Sequence, residues 1–299
     1  MTALPSAALT YEVADERFAR FGGDARAYKL HEDNRWAEGP VYVPAGRYLL
    51  WSDIPNDRML RWDETTGVVG VFRSPAGHTN GHTLDRSGRL ISCEQGNRRL
   101  TRTEHDGTVT VLADRHEGNR FNSPNDVVVA ADGGIWFTDP DYGIMNDYEG
   151  FRAESETDGC HVYRVNPATG DVQRVADDFV KPNGLAFSLD ESRLYIADTR
   201  ANHIREFTVG PGGKLSGGEV FAMCETGRFD GFRLDTAGRL WAAAGDGVHC
   251  FAPDGKLIGK IKLPEEAANL TFGGPKRNLM FVCATTTVYA FMTAATGVS

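Results

Sequence analysis

Nowhere in the 299 residues do eighteen apolar side chains follow one another, so no segment is expected to cross a bilayer as a helix. The opening MTALPSAALTYEVADERF also lacks the basic start and apolar run of a secretory leader, which makes a cytoplasmic location the expectation. Basic stripes are missing too. With 32 Lys+Arg against 41 Asp+Glu the formal net charge is -9, and no cationic cluster exists to hold a nucleic-acid backbone. An acidic chain suits a cation better. Five cysteines, Cys93, Cys160, Cys224, Cys250 and Cys283, stand far apart without the close pairs of zinc or redox motifs. They read as buried thiols. There is no GxSxG turn for a serine hydrolase, and no long run of apolar residues at helical spacing.

What is present is repetition. AEGPVYVPAGRYLLWSD starts at residue 37, SPNDVVVAADGGIWFTD at 123, KPNGLAFSLDESRLYIADT at 181 and FDGFRLDTAGRLWAAA at 229. Each runs from a polar residue through a short apolar segment and a turn into a second apolar segment. Aligned on the polar residue, the units begin at Glu38, Asn80, Asn125, Asn183 and Asp230, with a sixth near Asn269, at intervals of 42, 45, 58, 47 and 39 residues. A period in the forties with several short strands per unit predicts an all-β, six-bladed β-propeller with four-stranded blades. In the fifth unit the strands are GFRLD, RLWAAAG, GVHCFAP and LIGKIKL, and the turns TAG and DGK favour tight reversal.

One domain is expected over 1–299. The last unit supplies only three strands, so AYKLHED from the N-terminal segment is expected to complete the sixth blade and remove its open edge. Residues 1–24 then form an extension, with YEVADERFARF expected as a short helix outside the ring. The long third interval holds the polar insertion MNDYEGFRAESETDG, expected as a surface loop overhanging one end.

Residues at one repeat position of a propeller form a ring at one end of its channel. Here Glu38, Asn125, Asn183 and Asp230 would bring two carboxylates and two amide carbonyls together, a donor set for Ca²⁺ first, with Mg²⁺, Mn²⁺ or Zn²⁺ also admissible. The competing reading is that Asn and Asp before Gly merely shape turns. Asn80 holds the same place in the second unit and would line the pocket, while Asn269 aligns ambiguously by one residue. His82 lies two residues beyond Asn80 on the same face of an extended strand. Glu94, Asp141 and Tyr142 follow second strands, where they could offer acceptors and a stacking surface for a polyol.

WAEGPVY, FNSPNDVVV, GGIWFTDPDYGI, KPNGLAFS and FDGFRLDTAGRLW occur in the order found in a known family, and residues 36–290 resemble the SMP-30/gluconolactonase/luciferin-regenerating-enzyme-like proteins, bacterial gluconolactonases above all. The resemblance implies a divalent metal on Glu38, Asn125, Asn183 and Asp230, with Asp230 also the catalytic carboxylate. It implies hydrolysis of a small sugar lactone, such as glucono-1,5-lactone, to the aldonic acid. Asp230 acts either as general base toward water or as nucleophile; both stay open. A substrate-binding arginine of the animal branch does not map securely, so Arg120 is a candidate only. His82, Glu94, Asn122 and Asp141 would favour a hydroxyl-rich substrate. The alternatives are organophosphate or aryl-ester hydrolysis at the same site, and a non-catalytic propeller binding a protein or peptide. Neither nucleic acid nor membrane is an expected partner.

Overall fold

Short runs of β-branched and aromatic residues, broken by Asp- and Gly-bearing turns, can bury a face only by pairing with their neighbours. In the computed structural model, which describes residues 4–21 and 23–298, they do so as consecutive antiparallel meanders. The innermost strands of the six blades are Ala37–Val43, Thr79–Leu84, Val127–Val129, Pro182–Phe187, Phe232–Leu234 and Ala267–Gly273. Blades 1 to 4 then step outward in sequence order, blade 1 through Tyr48–Asp53, Arg58–Asp63 and Val69–Arg73. The result is a six-bladed β-propeller. Apolar side chains fill the spaces between blades, among them the fully buried Trp51, Trp136 and Trp241. Cys93, Cys224, Cys250 and Cys283 are buried free thiols, and Cys160 is half-buried.

Blade 6 has three strands of its own. Arg26–His31 pairs with Thr287–Met292 to supply the fourth, so the N-terminal segment closes the ring as its pattern predicts. The segment before it differs from expectation. Thr10–Val13 is a strand, not a helix, and pairs with Leu257–Lys262 along the outer edge of blade 5, while Ser6–Ala8 extends blade 6. Two open edges offered unpaired backbone groups, and the extension satisfies them by pairing. Only Glu16–Phe21 turns, as a 3-10 helix. Its Phe18 is completely buried, 6.0 Å from the Trp241 ring. Phe18→Ala is expected to cost about 3–5 kcal/mol of stability by the usual penalty for emptying a buried aromatic site. Denaturant unfolding checks it; a loss under about 1 kcal/mol would show that the extension merely rests on the ring.

Four innermost strands carry a register shift at the repeated polar position: between Glu38 and Val41, Thr79 and His82, Pro182 and Leu185, and Ala267 and Asn269. Such bulges re-aim a side chain out of the regular alternation. The backbones crowd here. Gly39 has φ 54°, and a Cβ on it would stand 1.8 Å from the carbonyl oxygen of Asn80 in the next blade. Neighbouring blades are also tied by Gly81 N–H to Asn125 O at 2.7 Å and Gly231 N–H to Ala268 O at 2.8 Å. The channel is crossed by an ion pair between non-adjacent blades, Arg233 Nη1 on Asp126 Oδ2 at 3.2 Å.

A second repeated position is structural. Where a second strand ends, a buried aspartate turns back onto the chain entering its own blade. Asp53 accepts from the amides of Arg35 and Trp36, Asp139 from Asn122 and Ser123, and Asp198 from Val180 and Lys181. These carboxylates fix the approach to each inner strand.

Candidate functional site

The ring residues differ in how much of their hydrogen-bonding capacity the fold consumes. Glu38 is buried, and its Oε2 accepts from its neighbour Gly39 N–H and, at 3.0 Å, from Asn269 Nδ2 across the seam between blades 1 and 6. Its other oxygen is left over. Asn183 gives Nδ2 to Thr199 Oγ1 at 2.9 Å. That leaves the Asn183 carbonyl oxygen as its free end. Asn125 is pinned through its backbone, N–H to Thr138 O at 2.8 Å and O to Gly81, while its buried side chain has no hydrogen bond among the described residues. Asp230 is likewise held by its backbone, N–H to Ala243 O at 3.2 Å, and keeps a partly open side.

The electrostatics point the same way. Burial is the main force pushing the Asp230 carboxyl well above the usual carboxylate range, and repulsion from Glu38, Glu149, Glu266 and Asp126 adds to it. Glu38 is pushed up as well, chiefly by burial, which outweighs its bonds from Gly39 and Asn269. The charges acting most strongly on both acids are negative. Two carboxylates with unspent oxygens, one buried and one partly open, beside two amide carbonyls make a donor set that suits a hard divalent cation in both charge and oxygen chemistry. Among the described residues no trio of His, Cys, Asp and Glu is arranged for a metal, as befits a ring in which amides stand beside Glu38 and Asp230.

Residues 36–286 match the SMP-30/Gluconolactonase/LRE-like region. The chain belongs to that family. It is 31% identical over 293 residues to the gluconolactonase of Zymomonas mobilis, covering 90% of this chain and 81% of the relative. To the pentonolactonase XacC of Haloferax volcanii it is 31% identical over 260 residues, covering 83% and 81%. Among solved structures, a gluconolactonase of Xanthomonas campestris superposes with a TM-score of 0.91 at 37% identity, covering 98% of each chain.

In this member of the SMP-30/gluconolactonase family, several residues expected to touch substrate have their polar atoms committed elsewhere. His82 is buried with Nε2 2.8 Å from Ser52 Oγ and Nδ1 2.8 Å from Ser92 Oγ. Burial, aided by Arg73, lowers its pKa to about 3, so it is a neutral strut. Glu94 accepts from Asn97 Nδ2 at 2.6 Å, Arg99 Nε at 2.7 Å and Thr101 Oγ1 at 3.0 Å, all within its own blade. Asn122 is spent on the insertion, giving Nδ2 to Gly159 O at 2.9 Å and accepting from Ser155 Oγ at 2.6 Å. Arg120 reaches Asn97 O at 3.0 Å from a small hairpin, Arg115–His116 with Asn119–Arg120. Asp141 pairs with Lys181. His82, Glu94, Asn122 and Asp141 thus each have a partner in the scaffold, as buried polar groups on strands and loops generally do.

Two expected residues do stand at the ring. Asn80 occupies the second blade's place in it, buried, with its carbonyl accepting from Ser52 Oγ at 2.9 Å. Tyr142 opens a single helical turn, Tyr142–Met145, beside Asn183. The residue that sequence reasoning passed over is Glu149, in the insertion, whose charge acts on Glu38, Asp230 and Tyr142. Only the length of the third interval hinted at it.

Proposed function

We propose that the protein is a metal-dependent sugar-lactone hydrolase, opening an aldonolactone such as glucono-1,5-lactone to the aldonic acid. The observation that carries this reading is whole-length kinship with lactonases, at 31% identity to a gluconolactonase and a pentonolactonase and 37% to a gluconolactonase structure. The ring supports it. Glu38, Asn125, Asn183 and Asp230 would hold one divalent ion, Ca²⁺ by the hardness of the donors. When bound, it supplies Lewis acidity toward the lactone carbonyl.

Asp230 is the base in this reading. Its carboxylate takes a proton from water as the water oxygen bonds to the carbonyl carbon, and returns it to the ring oxygen as the C–O bond breaks. Backbone bonds on either side, Asp230 N–H to Ala243 O and Gly231 N–H to Ala268 O, hold the carboxylate in place without consuming it. Thr199 Oγ1, itself fixed by donating to Phe229 O, accepts from Asn183 Nδ2 and so turns the amide oxygen the other way.

Hydrolysis rates across a panel of aldonolactones, after chelation and readdition of single metals, test this directly. Chelation is expected to return lactone opening to the uncatalysed rate and one divalent ion to restore it. Full turnover in excess chelator would remove the metal from the reaction; no turnover of any lactone with any metal would remove the function.

A further inference from the structure

The insertion between the second and third strands of blade 3 does not hang free. It leaves Asp139, turns once through Tyr142–Met145, with Gly143 N–H on Ser123 Oγ at 2.9 Å, and folds back through Ala153 N–H on Ile144 O at 3.1 Å. Between those points it spans the mouth. Tyr148 donates to Arg35 O at 3.4 Å and stacks under the Arg35 guanidinium, 5.1 Å from its ring centroid, at the entry to blade 1. Phe151 meets the His78 ring edge-on at 5.2 Å, at the entry to blade 2. Gly150 lies between the two anchors, where a Cβ would stand 2.3 Å from Gly143 O. The strap is built for one path across the channel.

Glu149 is carried between these anchors. Its neighbours Tyr148 and Phe151 are fixed at the entries to blades 1 and 2, just ahead of Glu38 and Asn80, so Glu149 is held at the same end of the propeller as the ring, and its charge acts on Glu38, Asp230 and Tyr142. Among the described residues it accepts no hydrogen bond and pairs with no cation. Lys181, at the same end of the ring, is already paired with Asp141 and lies over the Tyr142 face at 5.1 Å. Burial pushes the Glu149 carboxyl up to about 7, so above neutral pH it is a half-buried carboxylate with free acceptors beside a substrate site, complementary to hydroxyl groups and hostile to anions.

We propose that Glu149 is the residue that selects substrate by charge, accepting a hydroxyl of a neutral polyol lactone and rejecting lactones that carry a carboxylate, phosphate or sulfonate away from the reacting carbonyl. The proposal rests on the sugar-lactone reading above and adds to it the class of lactone admitted. An anion brought beside Glu149 loses its water and gains a like charge, whereas a hydroxyl exchanges one acceptor for another.

Glucono-1,4-lactone and glucaro-1,4-lactone differ in a terminal CH₂OH against a carboxylate, and kcat/KM for both with the metal-loaded enzyme, measured above the Glu149 pKa of about 7, tests the idea. The wild type is expected to prefer the neutral lactone by at least about 30-fold, and Glu149→Gln to shrink that ratio about tenfold, mainly through KM of the charged lactone. Glu149→Asp restores much of the preference. Glu154→Gln, the same charge change at an exposed position of the strap, leaves the ratio at its wild-type value. A wild type without preference, or a ratio unmoved in Glu149→Gln, overturns the proposal while lactonase activity stands. Equal losses of kcat on both lactones also overturn it, since they would assign Glu149 to the reaction itself. A wild type that opens neither lactone sinks the hydrolase reading and this one with it.

Discussion

Asp230→Asn is expected to lower kcat for the best aldonolactone by about 10²–10⁴-fold, the range by which a positioned general base accelerates proton transfer. The substitution keeps an oxygen for the cation and the same side-chain shape, but an amide cannot take a proton from water. Stability should not fall with activity, because the Asp230 side chain is compressed by burial and by Glu38, Glu149, Glu266 and Asp126, and neutralising it relieves that repulsion. The two readouts therefore move in opposite directions: turnover collapses while the metal-free protein becomes more resistant to denaturant. Single-turnover kinetics with metal saturating would separate the base from the ligand role. Near-normal turnover in Asp230→Asn removes Asp230 from the proton transfer, whatever the metal does. A stable acyl adduct on the wild-type enzyme would instead favour attack by the carboxylate itself.

The ring was legible in the sequence because repetition converts spacing into geometry. Six unrelated-looking segments around Glu38, Asn80, Asn125, Asn183, Asp230 and Asn269 occupy one place in successive blades, and the register shifts and inter-blade bonds at that place go with a period that can be counted. The ends of the second strands carried less in sequence: the acids of WSD, FTD and IAD latch the chain entering their own blades, whereas Glu94 of SCE accepts from Asn97, Arg99 and Thr101 further along blade 2. The N-terminal strand Thr10–Val13 was illegible for another reason. Its pairing is decided by the open edge at Leu257–Lys262, some 250 residues away, and not by its own pattern. Glu149 belongs to the same class. Nothing near it in sequence fixes its place; contacts of Tyr148 with Arg35 and of Phe151 with His78 do.

Glu38→Gln tests whether the ring is built for a cation, through two effects of opposite sign. In the metal-free protein Glu38 has its proton affinity raised in the folded state, mainly by burial, so the folded protein holds a proton that the unfolded chain has released. Stability of the metal-free wild type should therefore decline as pH rises above the ordinary carboxylate range, and Glu38→Gln should flatten that decline and unfold later at neutral pH. With metal the order reverses. A ligand bound only by the folded state adds about 2.7 kcal/mol at one hundred times its dissociation constant, and this increment should be present in the wild type and largely lost in Glu38→Gln at the same free metal. Activity lost with it should return in part at higher metal concentration, as it would not for Asp230→Asn. The crossing is the discriminating result: a variant more stable than wild type without metal and less stable with it. If Glu38→Gln is destabilised to the same extent in chelator and in saturating metal, Glu38 serves the scaffold through Gly39 and Asn269. An unspent carboxylate oxygen would then have to be explained without an ion, in a cluster whose strongest neighbouring charges are all negative.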